Sequence, residues 1–246
     1  MHRQLIIDPL RAGLVQGSAV LATPMQLPFT AEQFFAVFHA YNVAVWPAQV
    51  LLLALALVAL ALIVVPRRGS GMAISAILAF LWLWMGLAYH LAFFTAINPL
   101  AYGFAILSAG GGLIFLWHGV IQRNIQFRLA FNARSIIGVV LVFYALVVYP
   151  LWSVDAGHHY PALPTFGLPC PTTIFTVGVL AFAVPPYAKA PLIIPVLWCL
   201  VGVQAAFFLG VPQDLGLAAA ALAGVLFLVR SRAPMEENTA GRARGG

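Results

Sequence analysis

The chain has 246 residues, of which 63% are hydrophobic and only 7% are charged, and its net charge is +6. A soluble domain carries about 25% charged residues, so this composition excludes a soluble enzyme. The mean hydropathy of +1.00 leads to the same exclusion. The basic surplus does not indicate nucleic-acid binding, because Lys and Arg stand at the ends of apolar runs and form no clustered face. The sequence predicts an all-α, polytopic membrane protein.

The first 24 residues are predicted to be a loose leader. Their short apolar stretch is interrupted by Asp8 and does not fit a cleaved signal peptide. The basic residues Arg3 and Arg11 also conflict with an N-terminus outside the cell, because basic segments usually face the cytoplasm. Both Met1 and Met25 therefore remain open as the true start of the chain.

A short helix is predicted to begin just after Thr30. Thr30 and Gln33 fit a capping box, and Phe29 and Phe34 fit the accompanying hydrophobic staple. Apolar residues then recur at helical spacing, and Trp46 follows at headgroup depth. This pattern favours an amphipathic helix lying along the outer membrane interface. The alternative is an N-terminal extension of the first span.

Seven apolar runs follow, each near the length of about 20 residues that a helix needs to cross a bilayer. The runs are residues 48–65, 73–94, 101–121, 136–152, 173–185, 191–209 and 215–229. The fifth is short, and the seventh is rich in Ala and Gly. Residues 25–230 are thus predicted to form one bundle of about seven transmembrane helices. Residues 231–246 are polar and are predicted to form a disordered cytoplasmic tail.

The basic residues beyond the leader follow every second run of the chain. They are Arg67, Arg68, Arg123, Arg128, Arg134, Lys189, Arg230, Arg232, Arg242 and Arg244. By the positive-inside rule these connections face the cytoplasm. The prediction is a bacterial inner-membrane protein with its N-terminus outside and its C-terminus in the cytoplasm.

Interruptions within the spans admit two interpretations. Residues 110–112 are three consecutive glycines, and Pro191 and Pro195 lie in the sixth run. Small residues allow membrane helices to pack closely. The alternative is an unwound backbone that lines a polar path, as in many transporters.

Polar side chains within or beside the spans are rare, which makes each a candidate functional residue. His90 lies near the outer end of the second span, Asn98 precedes a proline in the next connection, and Gln204 lies in the sixth span. Tyr160 lies in the longest outer connection. These four residues are the predicted substrate path.

The same outer connection concentrates potential metal ligands. It contains Asp155, His158, His159 and Cys170, and the topology places His90 at the same face. Imidazole and thiolate together suit a soft divalent metal such as zinc or copper. However, the spacing matches no established zinc signature. The alternatives are solvated loop histidines, a cysteine buried as a small hydrophobe, and an interior, hydrogen-bonded histidine at position 90.

Five segments carry a resemblance to a known family. They are residues 25–34, 41–47, 89–99, 165–172 and 209–214, and the Pro-Cys-Pro-Thr and Gly-Val-Pro-Gln-Asp turns are the most specific parts. Through them the chain resembles a family of uncharacterised bacterial multi-span integral membrane proteins, a domain of unknown function. The resemblance implies a membrane fold and a start at Met25, and it implies no mechanism.

No motif for a known reaction is present in the sequence. It has no GxSxG, HExxH, Walker or GxGxxG pattern in a suitable context. The leading hypothesis is transport or binding of a small solute or metal ion through an outer-facing polar vestibule. The alternatives are a metal-dependent membrane enzyme acting on a lipid or quinone, and a scaffold or sensor that docks through residues 123–134. That last segment is also interpreted as a helix lying on anionic lipid headgroups. The lipid bilayer is a partner in every case, and nucleic acid is not.

Overall fold

A computed structural model describes residues 27–230. The predicted leader, the Met25 start and the predicted C-terminal tail lie outside these residues. Between residues 27 and 230 the chain forms eight helices and no β-strand. They are α1 (Ala31–Ala44), α2 (Ala48–Val64), α3 (Ser70–Ala96), α4 (Ala101–Ile121), α5 (Ala133–Asp155), α6 (Pro169–Leu180), α7 (Ala190–Phe208) and α8 (Pro212–Arg230).

Five helices, α3, α4, α5, α7 and α8, are long and apolar enough to cross a membrane. The prediction of seven spans is not confirmed, because counting α1 and α2 together as one bent span raises the number only to six. The fifth predicted run forms α6, which has only 12 residues. Such a helix is about 18 Å long, well short of the ~30 Å hydrocarbon core.

The local prediction for α1 is confirmed. The backbone N–H of Thr30 donates to Gln33 Oε1 at 2.9 Å, and the N–H of Gln33 donates to Thr30 Oγ1 at 3.3 Å. The rings of Phe29 and Phe34 stack with their centroids 5.9 Å apart. Helix α1 meets α2 at 87°, with the exposed Trp46 at the bend. It is therefore not a straight extension of α2, although the two helices together count as one bent span in the total of six.

The three glycines at residues 110–112 lie in continuous helix, so the unwound-backbone interpretation is wrong here. A Cβ on Gly111 would lie 2.7 Å from Trp82 Cε3, and one on Gly112 would lie 2.9 Å from Ala79 O. The glycines let α4 pack closely against α3, as small residues do in membrane bundles. Helix α7 likewise continues through Pro195, which has no backbone N–H to donate, and it has a break in regular helix at Val203.

Helix α6 is the centre of the bundle. Almost all of its side chains are buried, and it packs against α5, α7 and α8. The indole Nε1 of Trp82 on α3 donates to Thr176 Oγ1 at 3.1 Å. A Cβ on Gly178 would lie 3.0 Å from Val142 N, so α5 crosses α6 almost in backbone contact.

One end of the bundle, here called the arginine end, carries all the described Arg and Lys residues. There Arg134 donates to Leu180 O at 2.9 Å and to Tyr187 Oη, so it caps the last turn of α6. Burial raises the pKa of Tyr187, and the neighbouring guanidinium of Arg134 partly opposes this rise. Residues 122–132 form an irregular segment without helix, and Val184 N donates to Gln126 O at 2.8 Å. The helix predicted for this segment is therefore wrong, because its backbone pairs with the chain that leaves α6.

Candidate functional site

The opposite end of the bundle, here called the α1 end, contains a cavity of about 440 Å³. Its walls come from α1, α3, α4, α5, α6 and α7. Most lining side chains are apolar, and the aromatic ones without a polar atom are Phe29, Phe34, Phe38, Phe94, Phe104 and Phe208. The volume lies within the range of about 300–1,000 Å³ that is typical of small-ligand pockets. The cavity is predominantly apolar, whereas the sequence predicted a polar vestibule, which stays a prediction.

His90 is the main polar group on the cavity wall. It lies in a π-helical stretch of α3, Met85–Leu91, a local irregularity that is frequent at functional sites. Its ring packs 4.8 Å from Trp198 and 5.8 Å from Phe104, measured between centroids. The side chain is fully buried, and neither ring nitrogen has a hydrogen-bond partner among the described residues. His90 is therefore an interior residue, as one interpretation held, but the hydrogen bond of that interpretation is absent within the described chain.

Trp198 on α7 provides a second unpartnered polar atom beside His90. Its Nε1 is buried and finds no acceptor within the part of the chain that the structure describes. A Cβ on Gly202, one turn later, would lie 3.5 Å from this Nε1 and 3.8 Å from Cys170 Sγ. Because Gly202 has no side chain, the indole nitrogen of Trp198 and the thiol of Cys170 can both lie close to the backbone of α7 at this residue.

A buried polar cluster lies behind the cavity wall, where α5, α6 and α8 meet. Tyr149 lines the cavity and donates from its hydroxyl to Asp214 Oδ1 at 2.6 Å. Cys170, which also lines the cavity, faces the same carboxyl. Asp214 Oδ2 has no hydrogen bond of ordinary geometry to any described residue. The cluster provides a carboxyl, a phenol and a thiol within an otherwise apolar region.

Asn42 on α1 holds the long α5–α6 connection over the cavity. Its Nδ2 donates to Pro161 O at 2.6 Å and to Leu163 O at 2.7 Å. Thr165 Oγ1 donates to Asn42 Oδ1 at 2.7 Å, and Gln49 Nε2 donates to Asn42 O at 2.8 Å. Asn42 is fully buried, and these bonds satisfy its whole side chain. They fix the direction in which the connection enters α6.

Three of the four predicted substrate-path residues meet at the cavity. His90, Asn98 and Gln204 all line it. Tyr160 does not, because its ring lies beside Trp46 and its hydroxyl donates to the backbone of Asn42 at 3.3 Å. The substrate path itself stays a prediction, with three of its residues at one cavity and Tyr160 outside it.

The structure does not bring the five predicted metal ligands together. His90 and Cys170 line the cavity, whereas His158 stacks on Phe35 and Asp155 and His159 are exposed. Within residues 27–230, no three His, Cys, Asp or Glu side chains form a group that could hold a metal ion. His158 stacks on Phe35 of α1 and does not line the cavity. The two adjacent histidines of the loop therefore do not join His90 and Cys170 in one ligand set.

Sequence reasoning missed Tyr149 and Trp198 as parts of the site. Both are aromatic residues within apolar runs, and such residues are typical of the interior of a helix bundle. A usable signal was their polar atom, since a buried Tyr or Trp normally finds a hydrogen-bond partner. The partner of Tyr149 is Asp214, which lies 65 residues further along the chain.

The fold and the site define a bundle of long apolar helices with a mostly apolar cavity at one end. This arrangement is compatible with an integral membrane protein in a lipid bilayer. A family model matches residues 31–238, and the chain belongs to that family, DUF6064, a family of unknown function. No curated protein and no solved structure matches the chain significantly.

Proposed function

We propose that this chain is an integral membrane protein that binds a small amphipathic molecule in the cavity at the α1 end. The observation that carries the proposal is His90, which is fully buried on the cavity wall with both ring nitrogens unpartnered within the described chain. Leaving a buried polar group unsatisfied costs about 1–3 kcal/mol. A ligand that hydrogen-bonds to His90 removes this cost, and the apolar walls bind the rest of the ligand.

The polar atoms indicate the chemistry of the head group. A neutral imidazole offers one donor and one acceptor, and the indole of Trp198 offers one further donor. A carbonyl or hydroxyl group satisfies this set without carrying a charge into the bundle. The ligand class is therefore an uncharged molecule with an apolar ring or chain and an oxygen-bearing head, such as a quinone or an isoprenoid alcohol. The proposal includes no metal, because the described donors do not converge.

Two probes that share a six-membered carbon ring and a decyl chain, of which only one carries carbonyl oxygens, test this proposal. The probes are decyl-benzoquinone and decylbenzene, titrated calorimetrically into the purified protein in detergent micelles. We expect the His90→Phe variant to bind decyl-benzoquinone about tenfold more weakly than the wild type, because a ligand hydrogen bond is lost. Binding of decylbenzene is expected to change little, because the ring volume at position 90 is retained.

His118→Phe is the matched control, since His118 lies at the other end of α4 and does not line the cavity. It is expected to bind both probes as the wild type does. Equal quinone affinity in the wild type and in His90→Phe would contradict the role of His90. Failure of the wild type to bind either probe would contradict the proposed function itself.

A second candidate function, an enzyme that acts on the bound molecule, is favoured by the Tyr149–Asp214 pair. Tyr149 contacts the cavity, and the carboxyl behind it can exchange a proton with a ligand through the Tyr149 hydroxyl. The test is a mass-spectrometric search for conversion of a bacterial total-lipid extract. Conversion by the wild type and not by Asp214→Asn supports this candidate, and absence of any product removes it.

We further propose a bacterial inner membrane as the location, with the arginine end in the cytoplasm. The support is the distribution of charge, since every described Arg and Lys lies at that one end of the bundle. A reporter that is active only in the cytoplasm, fused after residue 246, is expected to be active. An inactive reporter in a stably expressed fusion would contradict this orientation.

A further inference from the structure

A second apolar recess lies on the side of the bundle, near the arginine end. It has a volume of about 320 Å³ and lies between α2 and α5, and we name it the α2–α5 groove. Six of the residues that define it are Ile63, Val64, Leu129, Val139, Phe143 and Phe182. Along α5 it extends from Val139 to Val147, about 12 Å at the rise of an α-helix.

No part of the described chain covers this groove. Helix α2 packs on α3, and α5 packs on α6, which leaves the gap between α2 and α5 open on its outer side. Val64, Val139 and Phe143 are each more than half exposed. In a bilayer, groups on this face meet acyl chains, and one leaflet is about 15 Å deep. The groove therefore has the depth and the apolar character of a site for one acyl chain.

Three arginines lie close in sequence to lining residues at the arginine end of the groove. Arg67 and Arg68 follow Val64 closely, and Arg67 can be no further than about 11 Å from it along the chain. Arg128 directly precedes Leu129. The backbone N–H of Arg128 donates to the backbone carbonyl of Phe182, another groove residue, at 2.9 Å. All three arginine side chains are exposed.

No acidic residue between positions 27 and 230 neutralises these arginines. The acidic residues there are Glu32, Asp155 and Asp214, and all of them lie at the α1 end. Guanidinium groups bind phosphate bidentately. In a basic cluster beside a membrane helix, each Arg near the surface strengthens the binding of anionic headgroups about fivefold.

We propose that the α2–α5 groove binds an anionic phospholipid. One acyl chain lies in the groove, and the headgroup phosphate contacts Arg67, Arg68 and Arg128. The site lies at the opposite end of the bundle from His90, so it is independent of the cavity and of its ligand.

Native mass spectrometry of the purified full chain tests this proposal, with dioleoyl phosphatidylglycerol and dioleoyl phosphatidylcholine as the probes. We expect the wild type to retain the anionic lipid preferentially. Combined Arg67→Gln, Arg68→Gln and Arg128→Gln changes are expected to reduce that preference about 100-fold. Val139→Trp fills the groove without changing the charge and is expected to weaken binding of both lipids.

Arg123→Gln is the matched control, because Arg123 lies on the same loop but no neighbouring residue lines the groove. It is expected to bind both lipids as the wild type does. A triple variant with unchanged lipid preference would overturn the proposal. Tighter phosphatidylglycerol binding after Glu236→Gln and Glu237→Gln would also overturn the proposal. That result would mean that the acidic C-terminal residues, and not a lipid, natively occupy the arginine site.

Discussion

Replacing Gly112 by Ala measures how closely α3 and α4 pack. A Cβ at this position would lie 2.9 Å from Ala79 O and 2.7 Å from Leu83 Cγ. The first contact is with backbone, so a rotamer change cannot relieve it. Such overpacking typically costs about 1–3 kcal/mol, whereas the exchange of Gly for Ala inside a helix contributes about 1 kcal/mol of stability.

Gly110 provides an internal control two residues earlier in the same helix. A Cβ there would meet no atom within 4 Å. Gly110→Ala therefore gains the helix propensity of Ala without the clash, and it is expected to stabilise the protein by about 0.4–1 kcal/mol. The two variants share the same chemical change, so the difference between them isolates the cost of overpacking at Gly112.

Thermal unfolding of both variants in one detergent provides the measurement. A difference of about 1–3 kcal/mol corresponds to Tm values about 2–12 °C apart for a chain of this size, with Gly112→Ala the lower. If both variants shift Tm in the same direction by the same amount, the close packing of α3 on α4 is refuted.

Two further substitutions test buried hydrogen bonds by the same measurement. Asn42→Asp replaces the amide that donates to Pro161 O and Leu163 O with an acceptor, and it is expected to lower the free energy of unfolding by about 2–5 kcal/mol; an unchanged Tm would show that this clamp contributes nothing. Trp82→Phe removes the donor to Thr176 Oγ1 and is expected to cost about 1–3 kcal/mol. A loss no larger than that of Trp46→Phe, at an exposed site, would contradict it.

Features that depend on neighbours in sequence could be predicted. The capping box of Thr30 and Gln33 needs only residues three apart, and it was confirmed atom by atom. The long apolar runs became helices because backbone groups in a bilayer must be satisfied within their own segment. The length of α6 could not be predicted, since its apolar run continues past Leu180. At its end, Leu180 O accepts hydrogen bonds from Arg134, 46 residues earlier, and from the backbone N–H of Ala183.

The site divides in the same way. His90 and Gln204 stand out because polar residues are rare in apolar runs, and both line the cavity. His158 stands out equally in sequence, yet it stacks on Phe35 of α1. The course of its loop depends on hydrogen bonds from Asn42, 119 residues before Pro161. Contacts of that separation leave no periodic pattern in a single sequence.

The central position of α6 has a consequence for the order in which the protein is made. Helices α7 and α8, which cover part of α6, are synthesised after it. Until they emerge, the side of this helix of about 18 Å that packs against α7 and α8 has no helix covering it. The chain up to the end of α6 therefore lacks two of the helices that bury α6. Burial of α6 is complete only when the C-terminal helices are in place.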